Sequence, residues 1–233
     1  MNKFIINFCN LKYVNKLIYN FTRSKFSRNF IPAFIRHYKI DMGEYKTEKY
    51  NSLQDFFIRN IDLNFRPIGN GEFVSPCDGV ISAAGKINTD TTFEVKGKIV
   101  NTKILTGDDE EYKYFQVIYL SPKNYHRFHA INDGEFFSER IIGGKSIPVN
   151  DTGFKMGNPF LKNKRVILKS KDYTYIAVGA TNVNTITINK KSFNKGDEIG
   201  YFSFGSTIII LYKYITLESK LGEIKVRENL FKL

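Results

Sequence analysis

Short runs of β-branched and aromatic residues, separated by glycine, asparagine and aspartate, fill the chain from residue 72 onward. Runs of this composition between turn residues are typical of β-strands. The last run, residues 207–214 (TIIILYKY), follows Gly205 and Ser206 directly and predicts a buried strand entered through a tight turn. Other clear runs are residues 115–120, 165–169, 173–179 and 185–188. We therefore expect an α+β fold, a mostly antiparallel β domain with a few helices.

The N-terminal region has a different character. Its first 40 residues hold eight Lys and Arg residues and no acidic residue, so most of the formal net charge of +12 lies there. Apolar side chains recur at spacings of three and four, which predicts a basic amphipathic helix; they are Phe4, Ile5, Phe8, Leu11, Val14, Leu17, Ile18 and Phe21. We assign residues 1–46 to a basic amphipathic helical membrane-facing segment and residues 47–233 to the β domain.

Such a helix can lie in the interfacial plane of an anionic bilayer, or it can pack on its own domain. An organelle transit peptide is a third interpretation. No apolar run reaches the ~18 residues that span a bilayer, so a peripheral association is expected.

The chain has two cysteines, Cys9 and Cys77, in different contexts. This pattern indicates a reducing compartment and neither a disulfide framework nor a metal site.

Three short segments carry candidate chemistry. Two of the three histidines, His126 and His129, fall within YHRFH; Asp78 lies in SPCDG, and Ser206 follows Gly205 in FGST. Each segment alone is compatible with an ordinary polar turn. Together they supply a serine, a histidine to take its proton and a carboxylate to orient that histidine, which are the parts of a nucleophilic site.

These segments resemble those of the phosphatidylserine decarboxylases, and the resemblance extends over most of the chain. The matching segments are FFIR (56–59), RPI (66–68), SPCDG (75–79), LSP (120–122), YHRFH (125–129), DG (133–134), VGATNV (178–183), KGDEIGYF (195–202) and FGST (204–207). Asn184 and Lys164 depart from the family pattern, and neither belongs to the candidate chemistry. Tyr125 and Phe128 are interpreted as packing residues.

The resemblance implies a pyruvoyl enzyme that cuts itself by serinolysis. The Ser206 hydroxyl would attack the Gly205 carbonyl, with His129 as general base and Asp78 holding its ring. Residue 206 would become the pyruvoyl cofactor, which forms a Schiff base with phosphatidylserine and releases CO2 to give phosphatidylethanolamine. His126 is the candidate to protonate the resulting carbon. The spacing leaves open whether the two histidines divide the work this way or the reverse.

The resemblance also implies the partners. They are phosphatidylserine, an anionic membrane surface and the chain's own two cleavage fragments as a heterodimer, with no nucleic acid. The expected location is peripheral, on the cytoplasmic face of a bacterial inner membrane, with an organelle membrane as the alternative. Two other functions stay open: a Ser-His-Asp lipid esterase whose serine remains intact, and a non-enzymatic basic membrane-binding domain.

Overall fold

The computed structural model describes residues 12–46, 49–180, 186–203, 206–214 and 218–232, with the backbone alone for residues 12–15. Its α-helices are α1 (Lys12–Arg23), α2 (Ile31–Tyr38), α3 (Leu53–Phe57), α4 (Thr102–Thr106), α5 (Asp151–Lys155) and α6 (Pro159–Lys162), with 3-10 helices at Lys25–Phe30 and Leu63–Phe65. The strands are β1 (Gly79–Lys86), β2 (Thr92–Val95), β3 (Lys98–Asn101), β4 (Tyr114–Leu120), β5 (Arg127–His129), β6 (Gly134–Glu135), β7 (Ser138–Ile142), β8 (Arg165–Lys169), β9 (Tyr173–Gly179), β10 (Ile186–Ile188), β11 (Ser192–Phe193), β12 (Glu198–Phe202), β13 (Ser206–Tyr212) and β14 (Gly222–Ile224). The expected α+β class is confirmed.

A seven-stranded sheet in the order β14-β1-β4-β13-β9-β8-β7 forms the centre of the molecule, and every neighbouring pair is antiparallel. Strand β13 lies in the middle of this sheet, between β4 and β9. All seven of its residues are buried. A strand covered on both faces needs apolar side chains at every position, which explains the unbroken hydrophobic run in the sequence.

The two faces of β13 pack against different layers. Ile208 and Ile210 belong to a core cluster that includes Phe128 of β5 and Phe202 of β12. Those two strands form a smaller sheet with β10, in the order β10-β12-β5. The opposite face of β13 packs against α5, α6 and the β2–β3 hairpin. Because side chains alternate along a strand, Ser206 shares the face of Ile208 and points toward the smaller sheet.

The N-terminal helices pack on the β domain along one side only. The Ser27 hydroxyl accepts a hydrogen bond from the Leu53 N–H at 2.9 Å, and α1 packs against α3. On the other side Leu17 is 70% exposed, and the exposed rings of Phe21, Phe26 and Phe30 contact each other at centroid distances of 5.5 to 6.4 Å. The predicted helical segment therefore has one packed side and one exposed apolar side.

Several parts of that prediction fall outside the described residues, namely Phe4, Ile5, Phe8 and Leu11. Within the described ranges, no helix is long and apolar enough to cross a membrane.

Candidate active site

Ser206 is the first residue of β13, where it pairs with Leu120 of β4 and Gly179 of β9. Its side chain is fully buried, and its Oγ has no hydrogen-bond partner among the residues that the structure describes. The Thr207 Oγ1 is also buried without a hydrogen-bond partner in the described structure. A buried hydroxyl without a partner costs free energy, so such an atom in a folded protein calls for a functional explanation. Gly205, the other half of the predicted cleavage site, lies outside the described residues.

His126 lies just before β5 and is completely buried. Its Nδ1 is 2.8 Å from the Asn124 carbonyl oxygen, so Nδ1 carries the proton and donates it. Its Nε2 is buried and has no partner in the described part of the chain. The ring packs on Phe57 at a centroid distance of 4.0 Å. Burial lowers the pKa of His126 to about 3, so the ring is neutral and Nε2 offers a lone pair.

The backbone of His126 links this residue to the approach to Ser206. Its carbonyl oxygen accepts a hydrogen bond from the Phe202 N–H at 2.9 Å, and Phe202 ends β12 four residues before Ser206. The side chain of buried Arg59 supports the same region, because its Nη2 donates to the carbonyl oxygens of Lys123 at 2.7 Å and Asn124 at 3.3 Å. Arg59 thus holds the backbone acceptor that fixes the His126 tautomer.

His129 ends β5 and has both ring nitrogens occupied. Nδ1 donates to the Gly196 carbonyl oxygen at 2.8 Å, and Nε2 accepts from the Tyr125 hydroxyl at 3.1 Å. Burial lowers the pKa of His129 to about 4, so this ring is neutral as well. The Tyr125 contact was not expected from the sequence. The sequence feature that could have indicated this contact is the spacing of four residues between Tyr125 and His129.

Asp78 is buried, and the structure joins it to other partners than His129. Its Oδ1 accepts from the Val226 N–H at 2.8 Å, and its Oδ2 accepts from Arg66 Nη2 at 3.1 Å. Burial raises the pKa of the Asp78 carboxyl, although the Val226 N–H and the Arg66 charge act in the opposite direction. The structure thus brings Asp78 next to Arg66, and it holds the His129 ring through Gly196 and Tyr125.

Asp78 nevertheless influences the Tyr125 and His129 pair electrostatically and through its neighbouring backbone. Burial raises the pKa of the Tyr125 phenol, and the negative charges of Glu198 and Asp78 raise it further. The Pro76 carbonyl oxygen, two residues before Asp78, accepts the His129 backbone N–H at 2.7 Å. The segment around Asp78 therefore borders the Tyr125 and His129 pair. Within the described ranges, no cluster of histidine, cysteine and carboxylate side chains has the form of a metal site.

The two neutral histidines predict a loss of stability on acidification. In a Ser206→Ala chain, the free energy of unfolding should fall by roughly 2 kcal/mol per buried histidine between about pH 7 and about pH 5. Stability falls with pH because the histidine rings of the unfolded chain take up protons near their ordinary pKa. In the folded chain, the rings of His126 and His129 stay neutral until the pH approaches their lowered pKa values of about 3 and about 4. The raised pKa of Asp78 acts with the opposite sign and reduces the fall at the acid end.

Urea unfolding at the two pH values measures this change. A second His126→Asn substitution in the same chain is the control, and it should remove about half of the pH dependence. An unchanged midpoint of unfolding between the two pH values would show that the histidines are not held neutral.

Comparison with known proteins gives a consistent result. A model of the phosphatidylserine decarboxylase family matches residues 53–228. The phosphatidylserine decarboxylase proenzyme of Bacillus subtilis is 38% identical over 225 residues, an alignment that covers 90% of this chain and 86% of the relative. The proenzyme of Anoxybacillus flavithermus is 40% identical over 224 residues, covering 89% and 84%. That of a Geobacillus strain is 34% identical over 232 residues, covering 93% and 90%.

The matched region contains every described strand and all the candidate site residues. The names of the relatives describe carboxy-lyases that are made as zymogens. This agrees with a buried serine at the start of a central strand and with two buried histidines, one of which accepts through its backbone carbonyl from Phe202, four residues before that serine. The chain belongs to the phosphatidylserine decarboxylase family.

Proposed function

We propose that this chain is a zymogen that cuts itself between Gly205 and Ser206, converts residue 206 into a pyruvoyl group and then decarboxylates phosphatidylserine to phosphatidylethanolamine. The observation that carries the proposal is the Ser206 hydroxyl, which is buried and unpartnered among the described residues at the entry to the central strand. The relatives named proenzymes support the self-processing step.

Cleavage begins when the Ser206 Oγ attacks the Gly205 carbonyl carbon and loses its proton to a base. The bond from that carbon to the residue 206 nitrogen breaks, the nitrogen takes up a proton, and an ester replaces the peptide bond. Removal of the proton on Cα of residue 206 then breaks the bond between Cβ and the ester oxygen. Gly205 keeps a carboxylate, and residue 206 becomes a dehydroalanine whose amine is replaced by water oxygen, with release of ammonia.

His129 is the proposed general base for this attack. A neutral imidazole with a lone pair is the form that a base requires, and burial keeps His129 in that form. The Tyr125 hydroxyl occupies its Nε2, so His129 takes the proton through that hydroxyl or after the hydroxyl turns away. Thr207, the second residue after the cut, is proposed to help hold the attacked carbonyl. Asp78 contributes through the segment that it anchors to Arg66 and Val226.

The surroundings of residue 206 fit a pyruvoyl group, because the position is buried and His126 offers an unpartnered Nε2 in the described structure. When formed, this group supplies a ketone that condenses with the substrate amine and accepts the electron pair that CO2 leaves behind. His126 Nε2 is proposed to take a proton from the substrate ammonium and return it to the carbon that has lost CO2. The hydrogen bond from Nδ1 to the Asn124 carbonyl fixes the tautomer, so Nε2 is the ring atom that would carry this proton.

Access to a lipid substrate is proposed to come from residues 1–46. The exposed side chains of Leu17, Phe21, Phe26 and Phe30 would enter the interface of an anionic bilayer, while the neighbouring Lys and Arg residues meet its charge. The proposed location is therefore peripheral, on the cytoplasmic face of a bacterial inner membrane. Residues 47–233 would form the pyruvoyl decarboxylase domain, held together after cleavage as a heterodimer of two fragments.

An intact mass measured under denaturing conditions tests the proposal. We expect two fragments separated after Gly205, with the smaller one resistant to Edman degradation because a ketone replaces its amine. A single chain with an ordinary serine at position 206 would contradict the proposal. A lipid esterase would give that single chain together with fatty acid release, and a non-enzymatic membrane-binding domain would give it with neither fatty acid nor CO2.

A further inference from the structure

Arg23, the last residue of α1, extends from the N-terminal helices toward the entry of β13. Its guanidinium lies over the Tyr19 ring, with Cζ 3.6 Å from the ring centroid. Its Nη2 donates to the Ser203 Oγ at 3.4 Å, and Ser203 is three residues before Ser206. Its Nη1 is buried and has no partner among the described residues. The side chain therefore presents an unused, desolvated donor beside the proposed cleavage site.

Two other residues with unpartnered polar groups in the described structure, Gln54 and His126, are linked to α1 through α3. Both amide atoms of Gln54 are buried without a partner in the described structure. Gln54 lies on α3, which packs against α1, and it precedes Phe57 by three residues, so the two side chains lie on the same side of α3. Phe57 in turn contacts the ring of His126, whose Nε2 is also unpartnered. Several unsatisfied groups joined by such contacts indicate a site for a polar ligand.

The chemistry of the reaction selects which polar group Arg23 would meet. Phosphatidylserine carries two anions, the carboxylate that leaves and the phosphate that stays. A cation bound to the carboxylate would stabilise the substrate more than the transition state, because the charge moves off that group as CO2 departs. A cation bound to the phosphate has no such cost. A guanidinium is also well suited to phosphate oxygens, to which it can donate two parallel hydrogen bonds.

The position of Arg23 supports the same choice. It follows Leu17 and Phe21, which belong to the exposed apolar side of the N-terminal helices. In a bilayer, the lipid phosphates lie between the acyl chains and the outer part of the headgroup. Arg23 follows these side chains along α1 and contacts Ser203, so it is placed to meet the phosphate when the amine reaches residue 206.

We infer that Arg23 is a specificity-determining residue that binds the headgroup phosphate of the lipid substrate through its free Nη1 and orients the amine toward residue 206. This inference rests on the proposed function, since it assumes that residue 206 is the reacting group. It also joins the membrane-facing helices to the reaction, because the last residue of α1 contacts both Ser203 and the substrate.

The test compares wild type, Arg23→Ala, Arg23→Lys and Lys98→Ala, each first confirmed by intact mass to be cut after Gly205. Lys98, an exposed cation in the β2–β3 hairpin, is the control for loss of one positive charge. The substrate is a dihexanoyl phosphatidylserine below its micelle concentration, so that membrane binding does not enter. CO2 release should give a KM that is about 10- to 100-fold higher for Arg23→Ala, with kcat within about threefold.

Arg23→Lys should give an intermediate KM, since an ammonium keeps the positive charge but cannot donate two parallel hydrogen bonds to the phosphate. Lys98→Ala should match wild type. Glycerol 3-phosphate, which has the phosphate but neither carboxylate nor amine, should inhibit wild type competitively and inhibit Arg23→Ala much less. Free serine should inhibit both equally, because it lacks the phosphate.

An unchanged KM in Arg23→Ala would overturn the inference, and so would a loss of inhibition by serine in place of glycerol 3-phosphate. A fall in kcat together with a lowered melting temperature would also overturn it, since it would assign Arg23 to holding α1 against Ser203. Failure of wild type itself to be cut would instead overturn the proposed function, so the two failures are distinguishable.

Discussion

Ser206→Ala should leave one uncut polypeptide without measurable decarboxylase activity. Alanine has no hydroxyl to attack the Gly205 carbonyl and no atoms from which a ketone can form. The fold should survive, because the lost Oγ has no partner in the described structure and alanine keeps the strand backbone. We expect a stability change within about 1 kcal/mol. Denaturing mass spectrometry, CO2 release and thermal unfolding measure the three effects.

Ser192→Ala is the matched control, because Ser192 is an exposed serine of β11. This variant should be cut and active like wild type. If Ser206→Ala still yielded two fragments, or an uncut form still released CO2, residue 206 would not be the source of the cofactor.

His129→Ala and His126→Ala should separate the two stages of the reaction. Loss of a general base typically slows a reaction about 100- to 10,000-fold, so His129→Ala should show slow cutting of freshly made protein. His126→Ala should be cut normally and then turn over substrate slower by a similar factor. A time course of fragment formation measures the first stage, and CO2 release per cut molecule measures the second. Each variant serves as the control for the other.

The unpartnered Nε2 of His126 makes the reverse assignment a specific alternative. Slow cutting in His126→Ala, together with normal turnover in cut His129→Ala, would exchange the two roles. Asp78→Asn adds a further distinction. Since Asp78 holds Arg66 and the Val226 N–H, slow cutting in this variant should come with a lowered melting temperature. Normal cutting in both Asp78→Asn and His129→Ala would remove both residues from the cleavage step.

Elements with a strong local pattern were predicted well. Strands β8 and β9 have the predicted bounds, and the predicted run 207–214 corresponds to β13, Ser206–Tyr212. Helix α3 begins after Ser52, whose hydroxyl accepts from the Asp55 N–H at 3.1 Å, and a serine three residues before an acidic residue is a local pattern that favours such a helix start. In these segments, the intrinsic secondary-structure preference of the residues agrees with the helix or strand that they form.

The short two-residue strands β6 and β11 and the arrangement of the smaller sheet were not predictable in the same way. Strand β5 has only three residues, and it is a strand because β12 pairs with it about seventy residues later. No local periodicity can appear in so short a segment. Its place is decided by tertiary packing, with Phe128 and Phe202 facing the large sheet.

The same distinction applies to the candidate site. Side chains that can act as nucleophiles, acids or bases, such as Ser206, His126 and His129, can be identified in the sequence. Their partners cannot, because the Asn124 and Gly196 carbonyls and the Val226 N–H are backbone groups that do not depend on the residue type, proline excepted for the N–H. Sequence reasoning paired Asp78 with His129, whereas the structure pairs the carboxylate with Arg66 and with a backbone N–H far along the chain.

The central position of β13 also orders the events in the life of the chain. Its neighbours β4 and β9 are both made earlier, so Ser206 reaches its buried place only when β13 has left the ribosome and inserted between them. If cleavage follows the proposed course, it therefore waits until β13 has folded into the sheet. A misassembled copy would remain an inert precursor and acquire no reactive ketone.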